Sequence, residues 1–225
     1  MTPRSIRLLC SSVLVVLAAI ALEAGGWAVI TVKDLPDYVV VGKPVTLTYA
    51  VRQHGQQLLG GLDGRLEMRS DARLVRTAAT ATSETGYYSA TFTLPYAGDW
   101  TINIVSGFAG GLSSSRIRMQ AIESPGRVPL VSEAERGQRL FTGKGCVTCH
   151  VHASVASGFV PIGPELTARR YQPEYLKRFL ANPTQTPSAK FGSQMPNLDL
   201  RDTEITSLVA FINAEPSERL TVAER

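Results

Sequence analysis

The residues most able to do chemistry stand together as Cys146-Val147-Thr148-Cys149-His150. Two thiols three positions apart on one turn can each add to a vinyl group of a haem. A histidine directly after them then projects its imidazole at the iron. A redox dithiol of the same spacing would require a βαβ setting. Half of a zinc site would require a further ligand pair that the chain does not contain. The spacing therefore predicts one covalently bound haem c, with Cys146 and Cys149 as thioether positions and His150 as an axial iron ligand.

A six-coordinate iron needs a second axial ligand, and His152 and Met195 are the strong candidates downstream. His152 stands two positions from His150 and cannot swing round to the opposite haem face. Met195 lies in a Ser193-Gln194-Met195-Pro196 loop, where the proline fixes the chain and the thioether is free to reach the iron. It is the expected sixth ligand, because a polar loop is not where a core methionine belongs. His54, beside Gly55, is the remaining candidate. With Met68 or Met119 it could form a copper site, since imidazole and thioether both suit that metal.

Around these residues the chain shows two periodicities. From Trp27 to Ile122 apolar side chains recur at every second position, as in Val45-Leu47-Tyr49-Val51, Tyr88-Ala90-Phe92-Leu94, Trp100-Ile102-Ile104 and Ile117-Met119-Ala121. That is the period of a strand with one buried face. Turn signals such as Gly42-Lys43-Pro44, Gly60-Gly61 and Pro95 to Gly98 separate about seven such runs. An immunoglobulin-like β-sandwich over 27–122 follows. Residues 123–131 carry two prolines and a glycine and neither period, as in a linker. Beyond it no strand pattern appears. Ser132 and Glu135 form a capping box, and helices are expected over Pro173 to Ala181 and, entered through Asp202, Thr203 to Ala214. The expected fold is thus multidomain: an all-β sandwich followed by an all-α haem domain over 132–225, each folding independently, with the linker letting the second swing.

Two resemblances accompany this reading. Gly86 to Pro95 followed by Gly98-Asp99-Trp100 resembles the YtkA-like and FixH-like extracytoplasmic sandwich family, whose members often accompany respiratory oxidases or copper-handling proteins. Residues 132–215 resemble the class I cytochrome c family through Gly137, Phe141, the Cys146 to His150 motif, Gly163-Pro164-Glu165-Leu166, Tyr175 to Leu180, Asn182-Pro183, Met195-Pro196 and Glu204 to Ile212. That resemblance implies a crossing of the first and last helices at Gly137, Phe141 and Phe211. It also implies a hydrogen bond from the His150 ring to the Pro164 carbonyl, which would hold the imidazole in place.

The first 26 residues read as a signal peptide or an N-terminal membrane anchor. Arg4 and Arg7 precede an uncharged apolar run from Leu8 to Leu22, followed by Ala24, Gly25 and Gly26. Fifteen residues make roughly 22 Å of helix against roughly 30 Å of hydrocarbon. This favours a cleaved leader, although the apolar stretch resumes at Trp27 to Val32. The body is expected in the periplasm or on the outer face of the cytoplasmic membrane. Of the 225 residues 44% are hydrophobic and 19% charged, and 23 basic residues face 19 acidic ones. This excludes a wholly disordered chain and offers no nucleic-acid footprint. The expectation is an electron-transfer protein and not an enzyme in its own right, serving as a carrier or an electron-entry subunit for a membrane-bound respiratory complex. A haem-based sensor and a copper-handling module with an attached haem are the alternatives.

Overall fold

The computed structural model describes residues 26–71, 73–109, 114–124, 126, 130–155, 162–185 and 195–214. The expected leader over 1–26, all but its last residue, and part of the expected 123–131 linker lie outside them. Among the described residues ten strands form two sheets. The first has the order β1 (Ala28–Val32), β3 (Val45–Gln53), β8 (Tyr87–Phe92) and β7 (Thr80–Ala81), with β4 (Gln57–Leu58) also on β3. The second has the order β2 (Tyr38–Val40), β10 (Ser114–Ile122), β9 (Gly98–Val105), β5 (Arg65–Arg69) and β6 (Leu74–Ala78). All pairings are antiparallel except β10 with β2.

The alternation read from the sequence sets the faces. Leu47, Tyr49 and Val51 of β3, Trp100, Ile102 and Ile104 of β9, and Ile117 and Met119 of β10 all point into one core. Across the ladder Tyr49 opposes Tyr88, their rings stacked at 5.7 Å, and Trp100 opposes Met119. The buried rings keep their polar ends satisfied where they reach a loop: Trp100 Nε1 donates to the Tyr96 carbonyl at 3.2 Å, and the Tyr88 hydroxyl to the Leu59 carbonyl at 2.7 Å.

Three short helices follow: α1 (Glu133–Gly143), α2 (Pro173–Ala181) and α3 (Asp202–Asn213). The capping box at α1 is present, with Ser132 Oγ accepting from the Glu135 amide at 3.2 Å and the Glu135 carboxylate accepting from the Ser132 amide at 2.8 Å. Asp202 is the first residue of α3 and not its cap. There the Glu204 carboxylate accepts from the Arg201 amide at 3.0 Å. Helices α1 and α3 cross at Gly137, where a Cβ would collide with the Ser207 carbonyl and sit 2.6 Å from Phe211 Cβ. Phe141 and Phe211 pack beside the crossing with ring centroids 5.5 Å apart.

The fold expectation requires correction. Among the described residues the molecule is predominantly a β-sandwich with a few helices, and no separate all-α cytochrome c domain stands apart from it. Instead the helices form a layer fastened to the sandwich. Arg136 makes a bidentate pair with Asp37 at 2.9 and 2.8 Å, and Arg139 donates to the Asp37 carbonyl. The buried Lys144 ammonium donates to the Lys33 carbonyl at 2.8 Å, and Thr31 Oγ1 donates to the Lys144 carbonyl at 3.4 Å. At Gly145 a Cβ would lie 2.5 Å from Val29 Cγ1 and 2.6 Å from the Ile30 carbonyl oxygen, and φ there is +81°. Both demands exclude a side chain. Leu35 packs against both hydrophobic cores. These ties argue against independent folding and against a second half that swings on its linker.

Strand β1 shows why. All five of its residues are buried. Ala28, Ile30 and Val32 join the sandwich core, while Val29 and Thr31 meet the helical layer. The apolar stretch from Trp27, which read as a continuation of the leader, is a strand covered on two faces. Among the described residues no helix is long and apolar enough to cross a membrane.

Candidate functional site

The cysteine motif sits where α1 gives way to a tight turn. After Gly143 the chain reverses through Lys144 and the left-handed Gly145 into a 3₁₀ turn, Cys146–Thr148. The Cys149 and His150 amides both donate to the Cys146 carbonyl, at 3.1 and 2.9 Å. One turn therefore carries both sulfurs and the imidazole. Both cysteines are free thiols and half-buried. Burial, reinforced by its neighbour Cys149, pushes the Cys146 thiol up to about 12, and burial raises Cys149 as well. A redox dithiol needs a lowered pKa to supply thiolate, so this environment disfavours that chemistry.

His150 is oriented by its other side. Its Nδ1 lies 2.9 Å from the Pro164 carbonyl oxygen. A carbonyl only accepts, so Nδ1 carries the proton and Nε2 keeps its lone pair. Desolvation lowers the ring's pKa, partly offset by that hydrogen bond, which favours the neutral, ligating form. Gly163 makes the approach possible, because a Cβ there would collide with His150 Cε1 and lie 2.6 Å from Nδ1. The Gly163 amide donates to the Cys149 carbonyl at 2.9 Å, closing the loop against the turn.

Cys146, Cys149, His150 and Met195 all line one cleft of about 750 Å³, a volume within the range of about 300–1,000 Å³ for ligand sites. Phe141 of α1, Leu176 and Leu180 of α2, and Leu208 and Ile212 of α3 give it apolar walls. The Pro164 carbonyl, expected as the partner of the His150 ring, lies at hydrogen-bond distance from it. His152 is not on the cleft: it is 1% exposed and packs against Phe141 and Phe211, with centroids 5.8 and 4.4 Å away. Met68 and Met119 are sandwich core residues, whereas His54 borders the cleft beside Trp27. The residues of the copper reading are thus divided between the sandwich interior and the cleft.

Sequence reasoning missed part of this wall. Tyr171, Tyr175 and Phe179 stack along one side with centroids 6.5 and 6.2 Å apart. Their spacing of four was the available signal. Among the described residues Arg169 is the one guanidinium on the lining, and Trp27, Val29 and His54 come from the sandwich. Nothing local marks those three, since their role arises only when the helices dock.

No family model matches the chain, and no curated protein matches it. Among solved structures, the Lin-41 filamin domain is similar at 15% identity and a TM-score of 0.34, covering 43% of this chain and 93% of that one. The CARDB domain of a Pyrococcus furiosus protein is similar at 14% identity and a TM-score of 0.30, covering 45% and 99%. Alpha-2-macroglobulin of Escherichia coli is similar at 18% identity and a TM-score of 0.33, covering 42% and 6%. With no family model matching, the family expectations require correction. Membership of the class I cytochrome c family and of the YtkA-like and FixH-like family finds no support. Among the described residues the protein is mostly β with three short helices, and no three His, Cys, Asp or Glu side chains gather as a metal site.

Proposed function

We propose that this chain carries one covalently attached haem c and passes single electrons outside the cytoplasm, as a carrier or an electron-entry subunit of a membrane respiratory complex. The observation that carries the reading is the His150–Pro164 hydrogen bond at 2.9 Å, made beside two free cysteines on a cleft of suitable size. A haem brings four of the iron's donors with it, so the protein need supply only two and no cluster of protein ligands is required.

The residues fit that group. Cys146 and Cys149 would hold it through thioethers, and His150 and Met195 would ligate its iron. When bound, the group supplies reversible one-electron chemistry. The chain's contribution is to fix His150, exclude water and set the balance of charge. Its apolar walls disfavour the additional positive charge of the oxidised state, while Arg169 offers a partner to carboxylates at the rim.

The test is denaturing electrophoresis followed by peroxidase staining of protein matured with haem-attachment machinery. Stain should remain on the chain and be weakened or lost in Cys149→Ser. Absence of stain in the unaltered protein would remove the reading. Met195→Ala should open a coordination position, lower the reduction potential and admit carbon monoxide to the reduced protein. An unchanged spectrum and potential would show that another residue is the ligand. Rapid carbon monoxide binding by the unaltered protein would favour the sensor alternative.

A further inference from the structure

We propose that the sandwich is the second wall of the haem cleft, with Trp27 and Val29 lying against the prosthetic group and His54 closing the rim, so that the β-layer sets how far the haem is exposed. This rests on the haem reading above. The wall reaches both sides of the cleft. On the attachment side, Val29 Cγ1 sits against Gly145, the residue before Cys146. On the Met195 side, the Gly55 turn meets Pro196, whose Cγ is 3.5 Å from where a Gly55 Cβ would stand, with Val29 Cγ2 at 3.7 Å. One short piece of β-structure therefore spans the distance from the thioether turn to the methionine strap.

Local geometry holds this piece in place. The His54 amide donates to the Trp27 carbonyl at 2.9 Å, and the two rings meet edge to face with centroids 5.6 Å apart. His54 adopts φ of +51°, and Gly55 follows at +74°. Two successive left-handed residues make the tight turn between β3 and β4, closed by the Gln56 amide donating to the Gln53 carbonyl at 3.0 Å. Trp27 is half-buried, although a ring at the end of a strand could have joined the sandwich core. Covering the haem lowers the dielectric around the iron, which disfavours the oxidised form.

Proton NMR of the reduced, haem-loaded full chain tests the contact directly. Cross-peaks between the Trp27 indole and haem substituents are expected. Trp27→Ala should shift the reduction potential to lower values, His54→Ala should shift it less, and Thr80→Ala, on exposed β7 at the opposite edge of the sheet, should leave it unchanged. If Trp27 shows no haem cross-peaks and both wall variants keep the original potential, the wall is disproved while a positive haem stain preserves the cofactor reading. A chain that takes up no haem overturns both. The NMR arm needs no variant, so the proposal stays testable even if Trp27→Ala fails to fold.

Discussion

The sandwich and the helical layer bury similar kinds of side chain and differ in what they leave open. Tyr49, Leu47, Ile102 and Ile104 are fully buried, and the sandwich core closes on itself. Leu140, Phe141, Leu208 and Phe211 are buried almost as well, yet their layer surrounds a cleft of about 750 Å³. Packed interiors normally tolerate few voids, because atoms facing empty space lose their dispersion contacts. On the haem reading proposed above, the group that Cys146 and Cys149 would hold completes this layer.

The strongest way to break this contrast is to withhold the guest. The Cys146→Ser/Cys149→Ser chain should lose bound haem entirely. Its helical circular dichroism should melt well before the sandwich, giving two transitions where the loaded protein gives one. A single unchanged transition would mean that the helical layer closes without a guest. The reverse perturbation is Trp100→Ala. Truncating a fully buried aromatic costs about 3–5 kcal/mol, read by denaturant titration, and the haem spectrum of the surviving folded fraction should be unaltered.

The contrast also explains what was legible in the sequence. Sandwich faces could be assigned because period-two alternation is a local signal, and inward Leu47, Tyr88 and Ile117 followed from counting alone. Helix α2 was bounded correctly because Pro173 favours the first helical position and Asn182-Pro183 stops the run. The docking of one layer on the other was not legible, because it depends on single residues. Lys144 in a basic-looking Gly143-Lys144-Gly145 triplet gives no hint of burial, and Asp37 gives none of its two arginines. That Cys146, Cys149 and His150 share one turn could be read because their spacing is so short. The wall from Trp27 to His54 could not, since these three lining residues stand about a hundred positions from the cysteine turn.

Lys144 sharpens the comparison at its seam. Its ammonium sits 2.7 Å from Glu204 with both side chains under 5% exposed, so breaking the pair strands a buried charge. Lys144→Met should cost about 3–5 kcal/mol, whereas Lys144→Met with Glu204→Leu should restore much of it. Burial by itself would raise the Glu204 pKa, but Lys144 and the Arg201 amide outweigh it and the carboxyl lies below its ordinary 4.5. A depressed carboxyl contributes stability that is full above the unfolded value and disappears as pH falls through the folded one. The denaturation midpoint should therefore drop as pH falls below about 4.3, and Glu204→Gln should flatten that limb. The Asp37 carboxyl, lowered chiefly by its hydrogen bond to Arg136, adds to the same slope.

The smallest expected effect tests whether the helical layer depends on its own ends or on the sandwich. Ser132 and Glu135 satisfy two amides at the start of α1, and removing such a cap costs about 1 kcal/mol. The helix leads straight to the attachment turn, so a loosened start could in principle loosen the sulfurs. But Arg136, Arg139 and Lys144 pin the later turns of α1 and its end to Asp37 and Lys33, downstream of the cap. Ser132→Ala should therefore lower stability by about that 1 kcal/mol in denaturant titration, with haem attachment and potential unchanged, and Ser132→Asp should recover most of the loss. A shift in potential would show that strain travels the length of α1, placing the control of the site in the helix and not in the sandwich beneath it.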